Sequence, residues 1–264
     1  MVLKRPYLPM KLNALNVLFA LFGVLVLQSC GGDKPQSIKI AVAANAEPLA
    51  KALAEAYQKE HTIAFEFITG SSGQLSAQIA NGAPFDIFIA ADEDYPNYLE
   101  SLGRASSQPK VYAHGQLALL SIDSLVHFSQ LRSEQIEKIA IANPDLAPYG
   151  KAAKVALERS GYWESLSPKL VYGENALQAG IFTVTKAVRL SLTARSTAMY
   201  IEQSQEADRL FYTLVDEALY PPIKQAALLL KKEEQNPQAL AFYNFIFEQP
   251  ASAIIKEHGY KLPN

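Results

Sequence analysis

The sequence predicts an α/β fold of two lobes, each a mostly parallel sheet flanked by helices, with a cleft between them. Three observations predict it. Apolar runs of strand length alternate with helix-period stripes from Ile38 to Ala91, and a second such series begins near Gln116. The 264 residues, 49% of them hydrophobic, suffice for one large core or two moderate ones. Strands alternating with helices imply a parallel sheet covered on both faces.

The elements follow in order. "SIKIAVAAN" puts Ile38, Ile40 and Val42 on one face of a strand. Pro48 suits the first turn of a helix, and "LAKALAEAYQKEH" aligns Leu49, Leu53, Ala56 and Tyr57 on one stripe. "IAFEFI" is a second strand, and "GQLSAQIAN" a helix stopped at Gly82. "DIFIAA" is a third strand, with Asp92 as N-cap of the helix after it. In the second series, "QLALLSI" and "KIAIAN" read as strands and "YGKAAKVALERSG" as a helix ended by Gly161. "PKLVYG", "NALQAGIFTVTKA" and "VRLSLTA" then read as strand, helix and strand. The C-terminal part returns to helices in "PPIKQAALLLKK" and "NPQALAFYNFIFEQPASAIIKEHG". The expected organisation is one lobe from 38–114 and 222–264 and another from 115–221. The chain would cross between them near Ala113 to Gln116 and Leu219 to Pro222.

The N-terminus has a different character. Lys4, Arg5 and Lys11 precede the apolar run "VLFALFGVLVL", and small residues follow. This is the form of a secretory signal over 1–29, and the run is short for a membrane span. Cys30 is the only cysteine, so no internal disulfide can form. "LQSC" resembles the bacterial lipoprotein box. That resemblance implies lipidation at Cys30, a tether over 30–37 and a place on the periplasmic side of either the inner or the outer membrane. Cleavage would take away three of the 24 Lys+Arg and none of the 26 Asp+Glu, moving the net charge from −2 to −5.

Such a balance argues against a nucleic-acid partner, which would usually meet a basic face. Enzyme signatures are also thin. His61, His114, His127 and His258 share no metal-ligand spacing. No nucleophile elbow, phosphate-binding loop or dinucleotide fingerprint is present, so no catalytic residue is assigned.

What recurs is a strand that ends in a loop of small or hydroxyl residues and opens a helix. The loops are Ala44-Asn45-Ala46, Gly70-Ser71-Ser72-Gly73, Pro148-Tyr149-Gly150 and Glu174-Asn175-Ala176. A helix start leaves N–H groups without partners and carries roughly half a positive charge. Any one of these loops would be accounted for by an ordinary helix cap. Four of them, two in each lobe, could converge on one small anion. A chain at −5 would not attract that anion through its net field, so oriented dipoles and neutral hydrogen bonds would have to hold it.

Several longer blocks carry a resemblance. "AVAANAEPLAKAL", "GSSGQLSAQIANGAPFDIFIAAD", "IAIANPDLAPYGKAA", "SPKLVYGENA", "YPPIKQAALLL" and "FYNFIFEQPASAIIKEHGY" together resemble the molybdate-binding receptor of bacterial molybdate ABC importers. The resemblance runs from about Ile38 to Tyr260. It implies a periplasmic-binding-protein type II fold and a receptor for molybdate and tungstate. It also implies delivery to an ABC permease with its ATPase, without cofactor or chemical step, by a protein expected to be a monomer. By motif, the ligand positions fall at Asn45, at Ser72 with Ser71 beside it, at Tyr149, and at Ala176 through its backbone N–H. Asn45, Ser72, Tyr149 and Ala176 would meet the oxygens of the oxyanion rather than the metal itself. At one corner the sequence departs from relatives: "LSLTARS" places Ala194 where some have a ligand tyrosine, and Arg195 follows. That corner leaves open a receptor for sulfate, phosphate or a small organic anion. An exported hydrolase using the same cleft is a further alternative.

Overall fold

A computed structural model describes residues 37–263, apart from 125, 133–135 and 205–208. The expected signal peptide, Cys30 and the tether up to residue 36 lie outside the described residues.

The first sheet has the order β2-β1-β3-β10-β4. Its strands are β1 (Ser37–Ala43), β2 (Ala64–Gly70), β3 (Ile87–Ala90), β4 (Lys110–Gly115) and β10 (Ile223–Leu229). The second has the order β7-β6-β8-β5-β9. Its strands are β5 (Leu117–Ser121), β6 (Ile139–Ala142), β7 (Leu170–Gly173), β8 (Leu190–Ala194) and β9 (Phe211–Leu214). The two-lobed α/β class is as the sequence implies, but both sheets are mixed. β1 pairs in parallel with β2 and β3, while β10 runs antiparallel to both β3 and β4. The second sheet repeats this arrangement around β6 and β5. The antiparallel pairs arise where the chain changes sheet, which alternation alone does not reveal.

Among the described residues the chain passes between the sheets twice. It leaves β4 through Gln116 straight into β5, and it returns from β9 through Tyr220 to Pro222 into β10. The crossings lie side by side, since Ile223 pairs with Gly115 and the Leu117 N–H donates to the Tyr220 hydroxyl at 3.1 Å.

One helix expectation is overturned here. "PPIKQAALLLKK" contains the strand β10, not a helix. Its alanines and leucines favour helix weakly, by a few tenths of a kcal/mol per residue. The seven-residue run is instead clamped between β3 and β4 and buried on both faces. The apolar area and two ladders of hydrogen bonds outweigh that preference.

The helices cover the sheets as their stripes demand. α1 (Glu47–Gln58), α8 (Pro237–Phe245) and α9 (Gln249–Glu257) bury Leu49, Leu53, Phe242 and Ile255 against one face of the first sheet. α2 (Ser72–Ala80) and α3 (Asp94–Ser101) bury Leu75, Ile79 and Leu99 on the other. α4 (Pro148–Arg159), followed by the single turn α5 (Trp163–Leu166), packs Ala153 and Leu157 on the second sheet. α6 (Ala176–Val184) and α7 (Arg195–Ser204) cover its opposite face. β4, α7 and β9 have no counterpart in the sequence reading. Asp92 stands one residue ahead of the α3 N-cap position, and its carboxylate accepts from the Tyr95 N–H at 3.3 Å.

Candidate functional site

Four helix or turn starts meet where the two sheets face each other. β1 delivers Asn45 on the short turn Ala44–Ala46. β2 delivers Ser71 and Ser72, β6 delivers Tyr149, and β7 delivers Ala176. The starts are set by local chemistry. Ser71 closes a capping box with Gln74, and the Asn175 side chain accepts from the Gln178 N–H at 3.0 Å. Pro148 opens α4 with a preset φ. Each start leaves first-turn N–H groups that its own helix cannot satisfy.

The structure brings the expected residues together. Ala43 and Ala91 from the first lobe share one buried cluster with Tyr149, Ala176 and Ala194 from the second. α6, which Ala176 opens, packs on the turn that carries Asn45. Asn45, Ser71, Ser72, Tyr149, Ala176 and Ala194 are all buried.

Hydrogen bonds decide what each group can still offer. Ser72 Oγ accepts from the Ala91 N–H at 2.9 Å, so its own proton remains to be donated. Ser71 Oγ likewise accepts, from the Gln74 N–H at 3.3 Å. Asn45 differs. Its amide nitrogen donates to Gln225 Oε1 at 2.9 Å and to the Tyr260 hydroxyl at 3.0 Å, which uses both of its hydrogens. Its backbone carbonyl accepts from the Tyr260 hydroxyl at 2.8 Å and from the Ser196 hydroxyl at 3.2 Å. The Asn45 side chain is therefore a clamp, and the residue's remaining donor is its backbone N–H.

The Tyr149 hydroxyl accepts from Gln225 Nε2 at 3.4 Å. Burial drives its pKa well above the ordinary value, and the neighbouring tyrosine hydroxyls add to the shift. It is a protonated donor at any physiological pH. Burial likewise pushes Tyr260 up to about 12. The approach of Tyr149 depends on Gly115, where an added Cβ would fall 2.0 Å from the Tyr149 hydroxyl oxygen. Ala194 ends β8 and offers no side-chain donor. Thr193 beside it is spent on the Ala176 carbonyl at 2.6 Å.

Among the described residues Arg195 pairs with no carboxylate directly. Its guanidinium donates to Gln116 Oε1 at 2.8 Å, and Gln116 Nε2 donates to Glu217 at 2.6 Å. Its backbone N–H donates to the Gln116 carbonyl at 2.9 Å. The cation is thus held at the first crossing.

The lobes touch through further contacts. The Gly73 N–H donates to the Leu146 carbonyl at 2.9 Å, and the Tyr95 hydroxyl to the Asp145 carbonyl at 3.2 Å. Lys151 and Asp94 pair at 2.9 Å, but both are largely exposed, so the pair adds roughly 0–1 kcal/mol. Beside them lies a groove of about 320 Å³ lined by Asp92, Glu93, Pro148, Lys151, Pro222 and Lys224. Burial is the main reason the Asp92 carboxyl is pushed up to about 7 there. Among the described residues no cluster of His, Cys, Asp and Glu could hold a metal ion, and no helix is long and apolar enough to cross a membrane.

Sequence reasoning missed Ala91, Gly115, Ser196, Gln225 and Tyr260. Gln225 did leave a signal, as the one amide within the apolar run "AALLL" and its flanks. A polar side chain inside a doubly buried strand must have partners.

Comparison with known proteins accords with this geometry. Residues 38–261 match the family described as bacterial extracellular solute-binding protein. The molybdate-binding protein ModA of Rhodobacter capsulatus is 34% identical over 257 residues, covering 96% of this chain and 97% of that protein. ModA of Azotobacter vinelandii is 34% identical over 242 residues, covering 89% and 94%. The solved structure of the Azotobacter vinelandii periplasmic molybdate-binding protein superposes with a TM-score of 0.79 at 31% identity, covering 86% of this chain and 100% of that one.

Proposed function

This chain belongs to the bacterial extracellular solute-binding protein family, and we propose that within it the protein is the molybdate receptor of an ABC importer. It is a transport receptor and not an enzyme. The observation that carries the reading is a charge-free donor set at one buried junction. The hydroxyls of Ser72 and Tyr149 each accept from a nitrogen and keep a proton to donate; Ala176 shares a buried cluster with Tyr149, and the helix it opens packs on the turn that carries Asn45. A tetrahedral dianion held this way gains several hydrogen bonds to a charged acceptor without a counter-ion that would hinder its release.

These residues meet the oxygens of the ligand. Ser71 supports Ser72 by capping α2, and Ala194 lines the wall. Molybdate and tungstate are close in size, so the same set accepts both. Sulfate has shorter bonds and leaves some donors short of an oxygen, at roughly 1–3 kcal/mol per unpaired group. The lobes, 38–114 with 222–264 and 115–221, close on the ligand about the paired crossings, and the permease with its ATPase reads the closed form. The receptor works as a monomer on the periplasmic side, held to the membrane by lipid at Cys30.

The Ala194-Arg195 corner is the feature that favours a different anion. The bond from Arg195 to Gln116 supports molybdate instead, because it ties the guanidinium to the first crossing. A hydrolase is disfavoured because Ser72 Oγ bonds a backbone N–H and no base. A thermal-shift panel tests the reading. Molybdate and tungstate should raise Tm by several degrees at concentrations far above Kd, as mass action requires, and sulfate and phosphate should leave it near the ligand-free value. A larger shift with phosphate would reverse the assignment.

A further inference from the structure

We infer that Gln225 is a specificity-determining positioning residue, which sets the direction of the Tyr149 hydroxyl and so makes the site refuse oxyanions that carry a proton. The inference rests on the oxyanion-receptor reading above and deepens it.

The side chain is fully buried on β10, in the first lobe. Its orientation has one physical solution. Nε2 lies 3.1 Å from the Ala91 carbonyl, which can only accept, so the amide nitrogen must be the end that faces it. Oε1 then faces Asn45 and receives one of its amide hydrogens at 2.9 Å. The second hydrogen of Nε2 reaches across to the second lobe and meets the Tyr149 hydroxyl oxygen at 3.4 Å. That oxygen is an acceptor toward Gln225, so its proton must be directed elsewhere.

The Ala91 peptide thus governs two hydroxyls. Its N–H turns Ser72 into a donor directly, and its C=O turns Tyr149 into a donor through Gln225. The Asn45 backbone carbonyl already receives two hydroxyls, and its side-chain amide nitrogen is spent. At these two hydroxyls a fully deprotonated dianion finds donors. Hydrogen phosphate or hydrogen arsenate brings an O–H that meets hydrogens instead of a lone pair, and a buried donor without an acceptor is costly. The choice between such anions is therefore made by one amide that need not touch them.

Titration of wild type, Gln225→Met, Tyr149→Phe and the double variant with molybdate, sulfate and phosphate tests this. For the oxyanion that wild type holds most tightly, Gln225→Met should weaken binding by about tenfold, and by less than about threefold in the Tyr149→Phe background. Gln225→Glu offers an acceptor in place of the donor, so the affinity ratio of phosphate to molybdate should rise by at least about tenfold. Equal losses from Gln225→Met in both backgrounds, with an unchanged ratio in Gln225→Glu, would overturn the inference while leaving the receptor reading intact. Should Gln225→Met prove unfolded by circular dichroism, the ratio in Gln225→Glu decides alone. Wild type that holds no oxyanion would remove both readings.

Discussion

The Ala91 N–H donates to Ser72 Oγ at 2.9 Å. The two residues come from different strand ends, β3 and β2, and their bond ties the start of α2 to the end of the central strand. It also settles what Ser72 can do. A hydroxyl that has accepted from a backbone N–H keeps its proton for something else. Ser72→Ala should weaken oxyanion binding by roughly 10–100-fold, the loss expected for a donor to a charged ligand. It should also lower stability by about 1 kcal/mol, because the Ala91 N–H loses its partner. Calorimetric titration and urea unfolding of the variant check both effects.

Gly115 should tolerate no side chain. A Cβ there would sit 2.0 Å from the Tyr149 hydroxyl and 2.9 Å from Gln225 Nε2. Gly115→Ala should cost about 1–3 kcal/mol of stability and most of the oxyanion affinity, as overpacking at a crossing strand does. Adding Tyr149→Phe removes the obstructing oxygen, so the double variant should be more stable than Gly115→Ala alone. Thermal melts of the three variants show whether it is.

Asp92 should make stability depend on pH. Its carboxyl is pushed up to about 7, chiefly by burial, with Asp94 and Glu93 adding to the shift and the Tyr95 N–H opposing it. The unfolded value is near 3.9. The folded state therefore binds this proton more tightly, and the stabilisation is complete below about pH 4 and lost as pH rises through about 7. Wild type should lose at least ~1 kcal/mol between about pH 5 and 8 relative to Asp92→Asn. Parallel stability curves for the two proteins would rule the effect out.

Arg195 should matter little to ligand choice. Its guanidinium is engaged by Gln116, which passes the contact to Glu217 and on to Lys261 at 2.5 Å. Arg195→Ala should change molybdate affinity by less than about threefold and leave the order of anions unaltered. A titration in which sulfate overtakes molybdate would instead place the guanidinium in the site.

Much of this was legible in the sequence, because strand-end loops, hydroxyls and helix starts are local features. "GSSG" reads as a capped helix with spare hydroxyls, and the structure adds that the Ser72 hydroxyl accepts from the Ala91 N–H. The four loops that converge on the site were each visible as segments. Three of the differences share a common reason. β10 looked helical because alanine and leucine say nothing about the two strands that clamp it. Both sheets looked mostly parallel because alternation does not reveal where the chain changes sheet. Asn45 reads as a ligand position, but nothing local shows that Gln225 and Tyr260, 180 and 215 residues away, use both hydrogens of its side-chain amide. Each depends on contacts across the fold, which short-range patterns do not encode.

The central claim is that a charge-free set of donors selects a tetrahedral oxyanion of molybdate's size. Calorimetric titration of the purified protein with molybdate, tungstate and sulfate tests it most directly. Molybdate and tungstate should bind within about tenfold of each other, and sulfate at least about a hundredfold more weakly, for two or more donors left unpaired. Equal affinity for sulfate and molybdate, or no heat with any of the three, would contradict it.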